Sequence, residues 1–256
     1  RAAELRPLDT SDWWNLATLY SMLRRFPASR RAYGEAIARD SGIVFQTIQN
    51  HEFGRIFVAL GQPDSARQVF SLLLAGSVSA QGRAERSLGY LDLWEGRVAQ
   101  GVDHLRRAAT LSAAALEPLS EARSRTLLAG VLFESGETDA ARRELALAVR
   151  HCLARPLEPP LLLWAGKIAA RQGDLASATR LLDSLTARMR PESPQHRAAR
   201  DLLRAEVLLA KGAVNQALPL AEQAMAADPG PYPLESVAAI QRRAGDWAAA
   251  AQSYRQ

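Results

Sequence analysis

Residues 124–150 read SRTLLAGVLFESGETDAARRELALAVR, two apolar stripes broken by one polar turn. Leu127, Leu128, Val131 and Leu132 recur at helical spacing before the turn. Leu145, Ala148 and Val149 resume that spacing after it. The turn itself, Ser135-Gly136-Glu137-Thr138, carries the glycine that lets a backbone enter the left-handed region at little cost. The stretch predicts a helix, a tight turn and a second helix packed back on the first.

The same grammar extends in both directions. Turn glycines stand at Gly61, Gly96, Gly136, Gly173, Gly212 and Gly245, separated by 35, 40, 37, 39 and 33 residues. Five residues after each comes a small residue: Ala66, Gly101, Ala141, Ala178, Ala217 or Ala250. Seven residues before each comes another: Gly54, Gly89, Ala129, Gly166, Ala205 or Ala238. A period in this range marks a stack of copies of one short supersecondary unit. Within each copy the two small positions are expected to face each other, since helices approach closely only where both contacts lack bulk. Asp174 and Asp246 follow their glycines where a short acid caps the next helix, and Pro27 and Pro63 fall in first turns, where a missing amide is tolerated. Pro219 lies inside an expected second helix and predicts a late start or a kink.

Composition agrees with an all-helical chain. Of the 256 residues, 48% are apolar but only 6% aromatic, a core of Leu and Ala. Net charge is +5, with Lys167 and Lys211 the only lysines among 32 basic residues. That arginine bias suits a genome rich in arginine codons, and its even spread lacks the basic stripe of a nucleic-acid binder. One cysteine, Cys152, excludes an internal disulfide framework. No run approaches eighteen apolar residues, so no membrane span is expected, and the residues from Arg1 onward show no signal-peptide pattern. The compartment and the oligomeric state stay open.

These features resemble the tetratricopeptide repeat. Its motif is carried in the first copy by Trp13, Leu16, Ala17, Tyr20, Ser29, Tyr33 and Ala36, with Arg24 in place of the turn glycine. In the second it is carried by Phe53, Gly54, Phe57, Gly61, Ala66 and Phe70. Ala205, Leu208, Gly212, Ala217, Ala224 and Pro229 carry it in the sixth, and Leu234, Ala238, Gly245, Ala250 and Tyr254 in the seventh. Seven repeats are expected, at about 10–43, 47–80, 82–115, 122–155, 159–192, 198–231 and 231–256, in one domain. Repeats three to five lack the aromatics and run long, which predicts extended loops, one at Pro156, Pro159 and Pro160 and another at Pro191 and Pro194. The last repeat stops within its second helix and the chain starts at Arg1, so a segment of a larger bacterial protein is expected.

Catalytic signatures are missing. His51-Glu52 opens like a zinc-protease helix, but Arg55 stands where the second histidine belongs. His151 and Cys152 are sequence neighbours and diverge by about 100° on a helix. There is no phosphate-binding glycine loop and no nucleophile elbow. No enzyme activity, metal or cofactor is expected.

The resemblance implies an all-α, right-handed solenoid whose first helices line a groove. On it would lie Trp14, Thr18, His51, Arg55, Arg83, Arg86, Tyr90, Trp94 and Arg123. Guanidiniums interleaved with aromatics suit a partner protein or an extended peptide bearing acidic or C-terminal carboxylates. The carboxylate clamp of chaperone-binding members is broken here at Trp14, Thr18 and Glu52. Three further roles stay open: a periplasmic scaffold of a polysaccharide or envelope export machine, a regulatory arm of a kinase or transcription regulator, and direct binding of an anionic polymer.

Overall fold

A computed structural model describes residues 9–154, 159–228 and 231–253. They form seven consecutive helix pairs: α1 (Thr10–Met22) with α2 (Phe26–Arg39), α3 (Thr47–Ala59) with α4 (Pro63–Ser71), α5 (Val78–Trp94) with α6 (Val98–Ala114), α7 (Pro118–Glu134) with α8 (Thr138–Ala154), α9 (Pro159–Arg171) with α10 (Leu175–Arg188), α11 (Pro194–Ala210) with α12 (Val214–Ala227), and α13 (Pro231–Arg243) with α14 (Trp247–Ser253). Among the described residues there is no strand. Pro156, Pro229 and Tyr254 lie outside the described residues. The chain divides into two compact units, Arg1–Ser124 and Arg125–Gln256.

All six turn glycines adopt positive φ, from 68° at Gly61 to 84° at Gly136. Each closes its first helix the same way. At Gly61 the Gly61 N–H donates to the Val58 carbonyl at 3.0 Å and the Gln62 N–H to Phe57 at 2.8 Å. This pair of bonds satisfies carbonyls that a helix end otherwise leaves open. Arg24 takes the same role at φ 56°, with Arg24 N–H to Ser21 and Arg25 N–H to Tyr20. The link from α6 to α7 repeats it at Leu116, φ 55°. Asp174 and Asp246 cap as expected, accepting from the Ser177 and Ala249 amides at 3.0 Å each.

The third and fourth repeats absorb their extra residues as helix, while the fifth keeps helices of 13 and 14 residues and a loop at 189–193. α5, α6, α7, α8 and α11 each run 17 residues, and only residues 115–117 join α6 to α7. Pro159 and Pro194 each open a helix, and Pro160 continues one; of the expected loop prolines, Pro191 alone is in a described loop. A proline suits a first turn because its missing donor would be unpaired there anyway. Pro219 gives no late start either. α12 begins at Val214 and runs through Pro219. Pro219 is exposed, as is Asn215, whose carbonyl loses its helical partner there.

The small positions are buried as a set, but they serve different neighbours. A Cβ on Gly89 would come 3.2 Å from the Gly101 carbonyl, so here the two small residues do face each other. Gly54 instead makes room for the Phe70 ring, only 2.1 Å from such a Cβ. Gly166 admits Leu203 of α11, at 2.5 Å, so its smallness serves the next pair and not its own. The cores differ accordingly. In the N-terminal unit Tyr33, Ile56 and Ala17 pack with Trp13, Trp14, Phe26 and Phe53. In the C-terminal unit the buried bulk is Leu145, Leu162, Leu181, Leu202, Leu203 and Ile240.

Candidate functional site

The first helices of successive pairs in the N-terminal unit present their side chains to one another. His51 of α3 places Nδ1 3.0 Å from Ser87 Oγ of α5, and its ring stacks on Phe70 at 6.1 Å between centroids. Arg86 of α5 reaches the Ser120 carbonyl in α7 at 3.5 Å, the outer limit of a hydrogen bond. Arg83 lies 3.4 Å from Glu117, which also accepts from Ser79 at 2.6 Å. Arg55 pairs along its own helix with Glu52 at 3.2 Å.

Charge on this face is uneven. No carboxylate lies within ion-pair distance of Arg86 among the described residues, and the buried Nε of Arg83 has no hydrogen-bond partner. Burial and then the neighbouring Arg123 lower the Arg86 guanidinium to about 10. His51 is pushed down to about 4, first by burial and then by Arg55, Arg86, Arg123 and Arg83. A half-buried imidazole among guanidiniums stays neutral because a further positive charge is expensive there. Glu117, which burial would raise, is instead held low by Ser79 and Arg83.

His51, Arg55, Arg83, Arg86, Tyr90 and Arg123 are thus neighbours. Tyr90 and Trp94 follow at one-turn intervals on α5 and are 37% and 60% exposed. Trp14 does not join them. Its ring packs edge-on against Tyr33 at 4.3 Å within the α1–α3 core, so it is a half-buried packing residue, not an exposed one. Thr18 turns back on its own helix, donating to the Trp14 carbonyl at 3.1 Å.

The C-terminal unit holds a second charged face that the sequence reading passed over. Lys167 of α9, 5% exposed, lies 3.8 Å from Glu206 of α11 and 3.2 Å from Glu235 of α13. Arg171 reaches the same two carboxylates at 3.3 and 2.9 Å. Ser236 donates to Glu206 at 2.7 Å. Burial would raise the Glu235 carboxyl, but Lys167 and Arg171 hold it below the usual range. Above this lattice opens a cleft of about 670 Å³, bordered by Phe133, Leu209, Ala239, Arg242 and Arg243. The signal was available in the register. Lys167 and Glu206 stand six residues before Gly173 and Gly212, as Arg55 and Tyr90 do before Gly61 and Gly96.

Elsewhere in the N-terminal unit, buried Asp92 accepts from Arg67 at 2.6 Å and from Arg97 at 2.8 Å, tying α4 to α5. Burial pulls the Asp92 carboxyl up, and these two guanidiniums pull it below its ordinary value. Among the described residues no three His, Cys, Asp or Glu side chains gather as a metal site requires, and no helix is long and apolar enough to cross a membrane.

No protein-family model matches the chain, and no curated protein resembles it in sequence. Solved structures do resemble it in fold. The apo form of RapI superposes with a TM-score of 0.64 at 14% identity, over 97% of this chain and 96% of that one. PilF of Pseudomonas aeruginosa gives 0.56 at 14% identity, over 91% and 97%. A tetratricopeptide repeat protein from Parabacteroides merdae gives 0.56 at 10% identity, over 96% and 91%. The protein has the tetratricopeptide-type fold, an all-α solenoid of antiparallel helix pairs.

Proposed function

We propose that this protein is a non-catalytic interaction scaffold that holds an extended, acidic segment of a partner protein against α3, α5 and the start of α7. The observation that carries this reading is Arg86, a guanidinium on a face shared by three first helices with no carboxylate within ion-pair distance among the described residues. Tyr90 and Trp94 extend that face with exposed aromatic surface. A partner's carboxylate there gains a charge-assisted hydrogen bond, while the aromatics cover its apolar side chains.

The test is fluorescence anisotropy with a labelled peptide of alternating Glu and Leu. Arg86→Ala is expected to weaken binding about 10- to 100-fold, the loss of one charged hydrogen bond. Arg55→Ala should cost less, since Arg55 is exposed and already paired with Glu52. Equal affinity for wild type and Arg86→Ala, with helicity intact, would overturn the assignment. A bare anionic polymer held only by charge would instead lose affinity steeply with salt whatever its side chains.

A further inference from the structure

The charges that act on His51 are those of Arg55, Arg86, Arg123 and Arg83. On α3, Glu52 is engaged by Arg55. From α4 comes the uncharged ring of Phe70. On α5 stand Arg83 and Arg86, and from α7 comes Arg123, with Glu117 turned to Arg83 and Ser79. α2, also packed on α3, directs Arg30 over Phe57 and Arg39 over Trp13, while Glu35 pairs with Arg39. Asp40 accepts from the Gly42 amide in the 3-10 turn before α3. The hydroxyl of Ser87 contacts Nδ1 and can either donate to a bare nitrogen or accept from a protonated one. The Ser87 contact therefore accommodates both forms of the ring, and burial first, then the surrounding cations, disfavour the charged one.

We propose that His51 and Arg86 form a proton-coupled carboxylate subsite, in which an acidic side chain of the partner segment seats on Arg86 and His51 takes up a proton as it does so. This rests on the partner-binding role of the same face. An anion there offsets the field of Arg55, Arg83, Arg86 and Arg123, and so raises the proton affinity of His51. By reciprocity a protonated His51 raises the affinity for the anion to the same degree. The free ring titrates at about 4. Full restoration to the ordinary value of 6.5 would raise affinity about 20-fold between pH 7 and pH 5, and because burial remains, that figure is the ceiling of the effect. A carboxylate bound away from His51 produces no such rise.

The experiment is calorimetric titration of the full chain with the Glu/Leu peptide at pH 6, in MES and in Bis-Tris, whose ionisation enthalpies differ. The expected result is net proton uptake on binding, up to roughly 0.7 proton per peptide. His51→Gln should lose that uptake and flatten the pH profile whatever its affinity at pH 7, with its residual uptake measuring the peptide's own carboxyls. A readout without substitution is the His51 Cε1–H resonance, followed against pH with and without peptide, which should move from about 4 upward by at least one unit. Peptide binding with no uptake attributable to His51, or with an unmoved resonance, overturns the coupling and leaves the partner-binding role standing. Failure of the peptide to bind anywhere from pH 5 to 7 overturns both.

Discussion

Six residues before its turn glycine, α3 carries Arg55, α9 carries Lys167 and α11 carries Glu206. The position is the same and the outcome differs between the two units. In the C-terminal unit the cations of α9 are answered by carboxylates two helices deep, on α11 and α13, and Lys167, Arg171, Glu206 and Glu235 close a ring with two charges of each sign. In the N-terminal unit the carboxylates go to the outlying cations. Glu52 takes Arg55 and Glu117 takes Arg83, which leaves Arg86 with a distant carbonyl and His51 neutral. The contrast separates two uses of charge in one architecture. A closed ring stabilises the packing of its helices, whereas an open one stores electrostatic free energy that a ligand can release.

The largest effect is expected where the ring is closed. Glu206 is 2% exposed and faces Lys167, Arg171 and Ser236 together. Glu206→Ala leaves buried Lys167 with only the half-exposed Glu235, and breaking a buried pair from one side costs about 3–5 kcal/mol. The urea midpoint should fall accordingly. Cys152 supplies a local readout in the same unit: it is fully buried, and burial pushes its thiol up to about 12. Thiol-reagent labelling therefore requires local opening and should be faster in Glu206→Ala. A midpoint shift below about 1 kcal/mol would show that the ring is decoration and not a tie between helices.

The second effect belongs to the open face and appears with pH. The unfolded chain protonates His51 near 6.5, whereas the folded chain does not until about 4. Between those values the unfolded state binds more protons, so stability falls as pH falls, by about 2 kcal/mol at pH 5 and about 3 at pH 4. Asp92, Glu117 and Glu235 are all held below the ordinary carboxylate range, so their losses come at lower pH. His51→Gln should remove the slope between pH 6.5 and 5 and leave the acid limb. An unchanged slope in that variant would mean that the open face stores no such strain.

Much of the fold was legible in single residues, and most of the charge arrangement was not. The six turn glycines mark helix ends because each needs positive φ, a property of one backbone position that survives in sequence. Pro159, Pro160 and Pro194 were read as loop because proline signals a break in a string, while in space Pro159 and Pro194 begin helices and Pro160 continues one. Gly166 was assigned to its own pair because spacing shows that a position is small, not which neighbour needs the room; Leu203 does. Trp14 fell off the candidate face because Tyr33, nineteen residues on, covers it. The ring at Lys167 escaped because its partners lie 39 and 68 residues away. A shared register relative to the turn glycine aligns Lys167 with Glu206, whereas Glu235 stands ten residues before Gly245.

The smallest expected effect is also the one whose sign decides between the two uses of charge. Arg86→Met removes a guanidinium that burial and Arg123 already strain, and it forfeits only one hydrogen bond at 3.5 Å. The thioether chain fills similar volume and carries no charge to desolvate. Stability should therefore stay level or rise, by up to about 1 kcal/mol, and the His51 titration should move toward its ordinary value because one of its repelling neighbours is gone. Added salt should narrow the difference from wild type, since it screens the same repulsion. A loss of 2 kcal/mol or more in Arg86→Met would instead make Arg86 a structural tie like Lys167, and the face would have no unspent charge to offer a partner.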